Sequence, residues 1–95
     1  MISFTVRLTF EEGDRDSVAE MLRILTRESR QETGCINYIP HFVEAEPLTV
    51  VIYEEYLDEA ALEHHRTSPH FVQYAAGGLY KLKHTRHLER LSAIA

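Results

Sequence analysis

The amino-acid sequence predicts a single α+β domain spanning residues 1–95 in the order β-α-β-β-α-β, and three observations carry that prediction. Residues 2–10 alternate strictly, with Ile2, Phe4, Val6, Leu8 and Phe10 on one face and Ser3, Thr5, Arg7 and Thr9 on the other. That is the period of a half-buried strand. Val18, Met21, Leu22 and Leu25 recur at three- and four-residue spacing, the stripe of an amphipathic helix. Two further runs rich in β-formers, 35–43 and 48–57, are separated by Glu44-Ala45-Glu46-Pro47, a connection of hairpin length.

Each element has its own punctuation. Asp14 or Asp16 can cap the first helix, which is expected to run to about Glu32 with Gly34 just past its end. In the second strand Ile36, Tyr38 and Phe42 are expected to share a face with Pro40. Proline donates no ladder hydrogen bond, so Pro40 places that strand at an edge or in a bulge. Asp58 is the expected N-cap of a second helix through Ala60, Ala61, Leu62 and His65, and Pro69 ends it. A further helical piece follows from His70, with Gly77-Gly78 marking a kink or its end. Segment 84–91 fits either a helix, through Leu88 and Leu91, or a short strand through Thr85-Arg86-His87-Leu88. A last strand there would complete a ferredoxin-like antiparallel sheet.

Composition excludes several function classes. With 44% hydrophobic and 26% charged residues the chain reads as a globular protein. No apolar run approaches the length that spans a bilayer, and no signal-peptide pattern opens the sequence, so a cytoplasmic protein with no membrane role is expected. Fifteen Asp and Glu against ten Lys and Arg give a net charge of −5, a field that repels nucleic acid. The one basic cluster, Lys81, Lys83, Arg86 and Arg90, is equally explained as a solvated face. Cys35, the only cysteine, precludes an internal disulfide or a multi-cysteine metal site.

Six histidines are the richest chemical signal. No metal site is expected, because His64 and His65 diverge around a helix and Pro69 interrupts the path to His70. Cys35, at a strand start, is expected to be a small buried thiol. Glu54 and Glu55 point to opposite faces of a strand and cannot act as a pair, although one of them can face a pocket. The tyrosines Tyr38, Tyr53, Tyr56, Tyr74 and Tyr80 could offer hydroxyls to a ligand or pack as core with a hydrogen-bonded tip.

Gly34-Cys35-Ile36-Asn37-Tyr38, Tyr53-Glu54-Glu55-Tyr56, Asp58-Glu59-Ala60-Ala61-Leu62, His65 and Ser68-Pro69-His70-Phe71 resemble, in order and spacing, the pattern of the antibiotic-biosynthesis monooxygenase family. The resemblance implies a homodimeric α+β barrel with helices outside. It also implies oxidation of a small aromatic, quinol-like or polyphenol substrate by O2, with no metal or flavin cofactor. On this resemblance His65 is the expected base or oxyanion partner and Asn37 a donor to the oxyanion. Tyr38, Tyr53, Phe71 and Tyr74 are expected to line the substrate site. The absence of tryptophan departs from the haem-degrading members. Isomerisation of a small hydroxyketone or phosphorylated signal, with Glu54 shuttling protons beside His65, is the alternative chemistry. A non-catalytic dimeric binding or stress-response module is the alternative outside enzymology.

Overall fold

A computed structural model describes residues 1–95. Strand β1 (Ile2–Thr9) occupies the middle of a four-stranded antiparallel sheet of order β2-β3-β1-β4, with β2 (Cys35–Val43), β3 (Glu46–Tyr56) and β4 (Thr85–Leu91). The order and the two crossovers are those of a ferredoxin-like fold. Val6 lies opposite Ile52 on one side and Leu88 on the other. Cross-strand partners share a face, so one register fixes the inner face: Phe4, Val6 and Leu8 from β1, Val50, Ile52, Glu54 and Tyr56 from β3, and Tyr38 from β2 are all buried.

The helices cover that face. Helix α1 (Arg15–Ser29) buries Val18, Leu22, Leu25 and Ser29 against the sheet. It is preceded by a 3-10 turn, Glu12–Asp14, and Asp14 makes no side-chain cap bond, because the turn feeds directly into the helix. The helix stops at Ser29, short of Glu32, and the freed residues 30–34 form the turn that delivers Glu32 to the interior. Helix α2 (Glu59–Thr67) opens as expected, with Asp58 Oδ1 accepting the Ala61 N–H at 2.8 Å.

Gly34 lies past the end of α1 as expected, and its φ is not positive, so it does not close the helix in the left-handed conformation common there. Its service is steric. A Cβ at this position would collide with the Ala61 Cβ on α2, and glycine lets the start of β2 and the first turn of α2 touch.

After Ser68 the chain continues as a π-helix, Phe71–Leu79, and a short α-helical turn, Tyr80–Leu82. Gly77-Gly78 therefore lies inside the π-helix and does not end it. A Cβ on Gly78 would lie 2.5 Å from Met21 Sδ, and one on Gly77 2.9 Å from the Val72 carbonyl oxygen. The pair thus permits both the widened turn and its close seat on α1. Extended π-helices are rare and concentrate at functional sites.

Two details of β2 matter for the site. Pro40 sits in an edge strand, as its missing N–H requires. The ladder slips between Cys35 and Asn37, so Ile36 is extra and exposed while Tyr38 faces inward. Segment 85–91 is a strand paired with β1.

Candidate active site

The buried face of the sheet carries one cluster of ionisable groups. His65, in the last turn of α2, is 2% exposed. Its Nδ1 lies 2.9 Å from Glu32 Oε2, and its Nε2 lies 3.6 Å from Glu54 Oε1. His70 Nε2 meets the same Glu32 oxygen at 2.5 Å. The Tyr56 hydroxyl donates to Glu54 Oε1 at 2.7 Å. A continuous hydrogen-bonded chain thus runs His70–Glu32–His65, with the Glu54–Tyr56 pair on the far side of the imidazole.

Local sequence explains how the histidines converge. Pro69 follows Ser68, whose backbone is extended at the α2 C-cap. Ser68 Oγ donates to the His65 carbonyl at 2.6 Å and accepts the Phe71 N–H at 3.3 Å. These two hydrogen bonds of one hydroxyl fold the chain back. The proline turn was expected to separate His65 from His70; it brings their rings to a centroid distance of 6.1 Å instead.

Burial and partners pull the two carboxylates in opposite directions. Desolvation pushes Glu32 upward, but hydrogen bonds and charge from His65 and His70 overcome it and hold the carboxyl below its ordinary value. For Glu54, burial prevails over the Tyr56 hydrogen bond and the attraction of His65 and Arg86, so its pKa is raised. Tyr38, Tyr56 and Tyr80 are pushed up, first by burial and, for Tyr38 and Tyr56, by the neighbouring Glu54 charge. The Cys35 thiol is pushed up to about 11 by burial and by Glu32 and Glu54. A thiol so shifted is a poor nucleophile at neutral pH.

The Glu32 carboxylate and the two histidines place one donor atom each within 4.8 Å of one another. They are therefore the residues that could hold a cation. As they stand, both nitrogens address a single oxygen directly, which is the geometry of hydrogen bonds.

Around His65 the structure brings together Phe71, edge-on at 5.2 Å between centroids, Tyr56 at 5.0 Å and Tyr38 at 5.8 Å. Beside Glu54 and His65 lies a cavity of about 30 Å³, walled by Phe71, Tyr80, Arg66 and Arg86. The Arg86 guanidinium stacks over the Tyr80 ring at 5.0 Å. Tyr74 is half-buried against the core and does not line this cavity.

Asn37 and Tyr53 are placed elsewhere. The register pairs Asn37 with Glu55 and Tyr53 with Thr5 and Ile39, all on the helix-free face. There the Asn37 amide donates to Glu55 Oε1 at 2.9 Å. In the chain these two residues and His65 stand on opposite sides of the sheet. Glu32, His70 and Arg86 are the partners of the site that sequence reasoning missed. Glu54 did carry a signal, since strand parity puts it on the buried face with Val50 and Ile52.

The chain is thus a small α+β protein with a ferredoxin-like sheet, whose helix-covered face buries a histidine–carboxylate network. Residues 1–77 match the family described as antibiotic biosynthesis monooxygenase, and the chain belongs to it. Among curated relatives it is similar to Rv0793 of Mycobacterium tuberculosis, whose name assigns it provisionally to the monooxygenases. The two are 32% identical over 62 residues, 65% of this chain and 60% of the relative. Solved structures agree in fold. PA3566 of Pseudomonas aeruginosa superposes with a TM-score of 0.89 at 26% identity, covering 99% of this chain and 94% of that one. A crystal structure titled antibiotic biosynthesis monooxygenase reaches 0.92 at 23% identity over all of both chains. No helix is long and apolar enough to cross a membrane.

Proposed function

We propose that this protein is a monooxygenase that oxidises a quinol or related electron-rich phenol with O2, using His65 as the base. The observation that carries the reading is the buried imidazole held between two carboxylates of opposite shift, Glu32 and Glu54. Glu32 accepts a hydrogen bond from Nδ1–H, which fixes the tautomer and leaves Nε2 to take a proton. Removing the phenolic proton makes the substrate a strong electron donor to O2. Quinol and O2 then give hydroxyquinone and water, with all electrons supplied by the substrate.

The imidazolium formed in the first step would be stabilised by Glu32, and Arg86, which lines the same cavity, would supply positive charge to a phenolate bound there. Glu54, with its raised pKa, can receive the proton from Nε2 and return it to the departing oxygen. A cavity of about 30 Å³ holds roughly one water, so a ring is admitted only when Phe71 and Tyr80 swing outward. Those side chains stand on the π-helix and the turn after it.

A second copy is the proposed cover for the open face of the sheet, where Ile39 and Leu91 are exposed and Asn37 and Tyr53 reside. A chain of this length buries a limited core, and pairing of sheet faces would extend it. Isomerisation of a hydroxyketone is the second reading, favoured by the same His65–Glu54 proximity. An oxygen electrode with a panel of quinols tests the first. Substrate-dependent O2 uptake is expected, whereas solvent-deuterium exchange into a hydroxyketone without O2 uptake would favour the second.

A further inference from the structure

We propose that the cleft between α1 and β2 is a second small-molecule site, one that takes an amphipathic organic anion: an apolar body bearing a carboxylate or sulfonate. The cleft measures about 620 Å³, the size of ordinary ligand pockets, and shares no lining residue with the cavity beside His65. Its floor is apolar, formed by Leu22, Phe42 and Val50, and its rim carries Arg23, Arg27 and Arg30. No aspartate or glutamate lines it. In a chain of net charge −5 with ten basic residues, three guanidinium groups converge on one concave surface.

Helix geometry accounts for the convergence. Positions 23, 27 and 30 are spaced by four and three residues and so stand on one stripe of α1 and its C-cap. Arg30 is the anchored member: its Nε and Nη2 donate to the Tyr38 carbonyl at 3.3 and 3.1 Å. The bidentate grip holds the guanidinium plane, and its other N–H groups remain available to an anion. Arg23 and Arg27 pair with Glu20 and Glu28 at 3.3 and 3.7 Å, with all four side chains substantially exposed. Such pairs contribute little in water, so a ligand anion seated over the apolar floor displaces them readily. The floor supplies affinity by burial and the arginines select for charge.

The test uses anilinonaphthalene sulfonate, an aromatic anion whose fluorescence reports burial, beside uncharged phenylnaphthylamine of nearly the same ring size. The full-length protein is expected to bind the sulfonate saturably, one per chain, with displacement by decanoate. The double variant R23Q/R27Q, whose substitutions lie on exposed side chains, should weaken sulfonate binding about tenfold and the neutral probe less than about twofold. His65→Ala should leave both affinities unchanged, which separates this site from the proposed active site. Non-saturable sulfonate binding, or equal losses for the two probes, would overturn the proposal. So would a probe that binds only as light scattering shows assemblies separating into single chains, because the cleft would then be a contact between copies.

Discussion

Replacing Glu32 by glutamine keeps the shape of the side chain and removes its charge, so it isolates what the carboxylate does for His65 and His70. The carboxyl group is 5% exposed and accepts from both imidazoles at 2.9 and 2.5 Å. A hydrogen bond to a charged group is worth about 1.5–3 kcal/mol, and the amide retains part of one of the two. The expected cost is about 2 kcal/mol, which for a domain of this size lowers Tm by roughly 8–16 °C. Glu32 is depressed from its ordinary value of 4.5. Its contribution is therefore complete above that value and is lost as pH falls through the lower folded-state pKa. Thermal unfolding followed by circular dichroism should thus show a gap between wild type and E32Q that is full at neutral pH and closes toward strong acid. Turnover of a responsive quinol should fall by about 10²-fold or more, because the imidazole loses both its fixed tautomer and its counter-charge. A variant that melts with the wild type at neutral pH and turns over normally would refute the network as the organiser of the site.

Gly34→Ala drives a methyl group into the Ala61 Cβ and should cost about 3 kcal/mol, the upper end for overpacking between two backbones. Adding Ala61→Gly should recover all but about 1 kcal/mol, the price of glycine in a helix; urea unfolding of both variants checks this, and no recovery would mean the contact is not the cause. Glu54 has a raised folded-state pKa. Such an acid favours the fold at low pH and loses that contribution as pH rises through the folded value. Glu54→Gln should therefore stabilise the protein at neutral pH, with an advantage that shrinks as pH falls through the folded value and is gone below the ordinary value of 4.5, read from melts across pH; destabilisation at neutral pH would show that the partners of the carboxylate favour its charge over its burial cost. Light scattering should return twice the 11.0 kDa of one chain, and a single-chain mass at micromolar concentration would remove the proposed cover of the open sheet face.

The order of elements was legible because each carries a local signal: alternation in β1, runs of β-formers in β2 and β3, a three-four stripe in α1, the Asp58 cap, and Pro40 confined to an edge. Parity along β3 also held, and it separates Glu54 from Tyr53 without any tertiary information. What sequence could not show depends on turns whose geometry is tertiary. The slip at Ile36 takes that residue out of the face it was expected to share with Tyr38, while Asn37 lies on the outer face that alternation with Tyr38 and Phe42 dictates. Glu32 lies in a turn without periodicity, and its approach to His65 requires α1 to stop at Ser29. The Pro69 turn, read as a barrier between His65 and His70, closes their distance through the Ser68 hydroxyl. The π-helix has no sequence period that distinguishes it from an α-helix, although Gly77-Gly78 marks where something unusual occurs.

The central claim is that His65, buried and oriented by Glu32, is the base of an O2-dependent oxidation. The most direct measurement is O2 uptake by the wild type and His65→Asn with the quinol that responds best, in the presence of a chelator, with folding of both confirmed by circular dichroism. The account predicts uptake that persists with chelator and falls by about 10²-fold or more in the variant. Uptake that is equal in a folded variant, or absent from the wild type with every quinol tried, would contradict it.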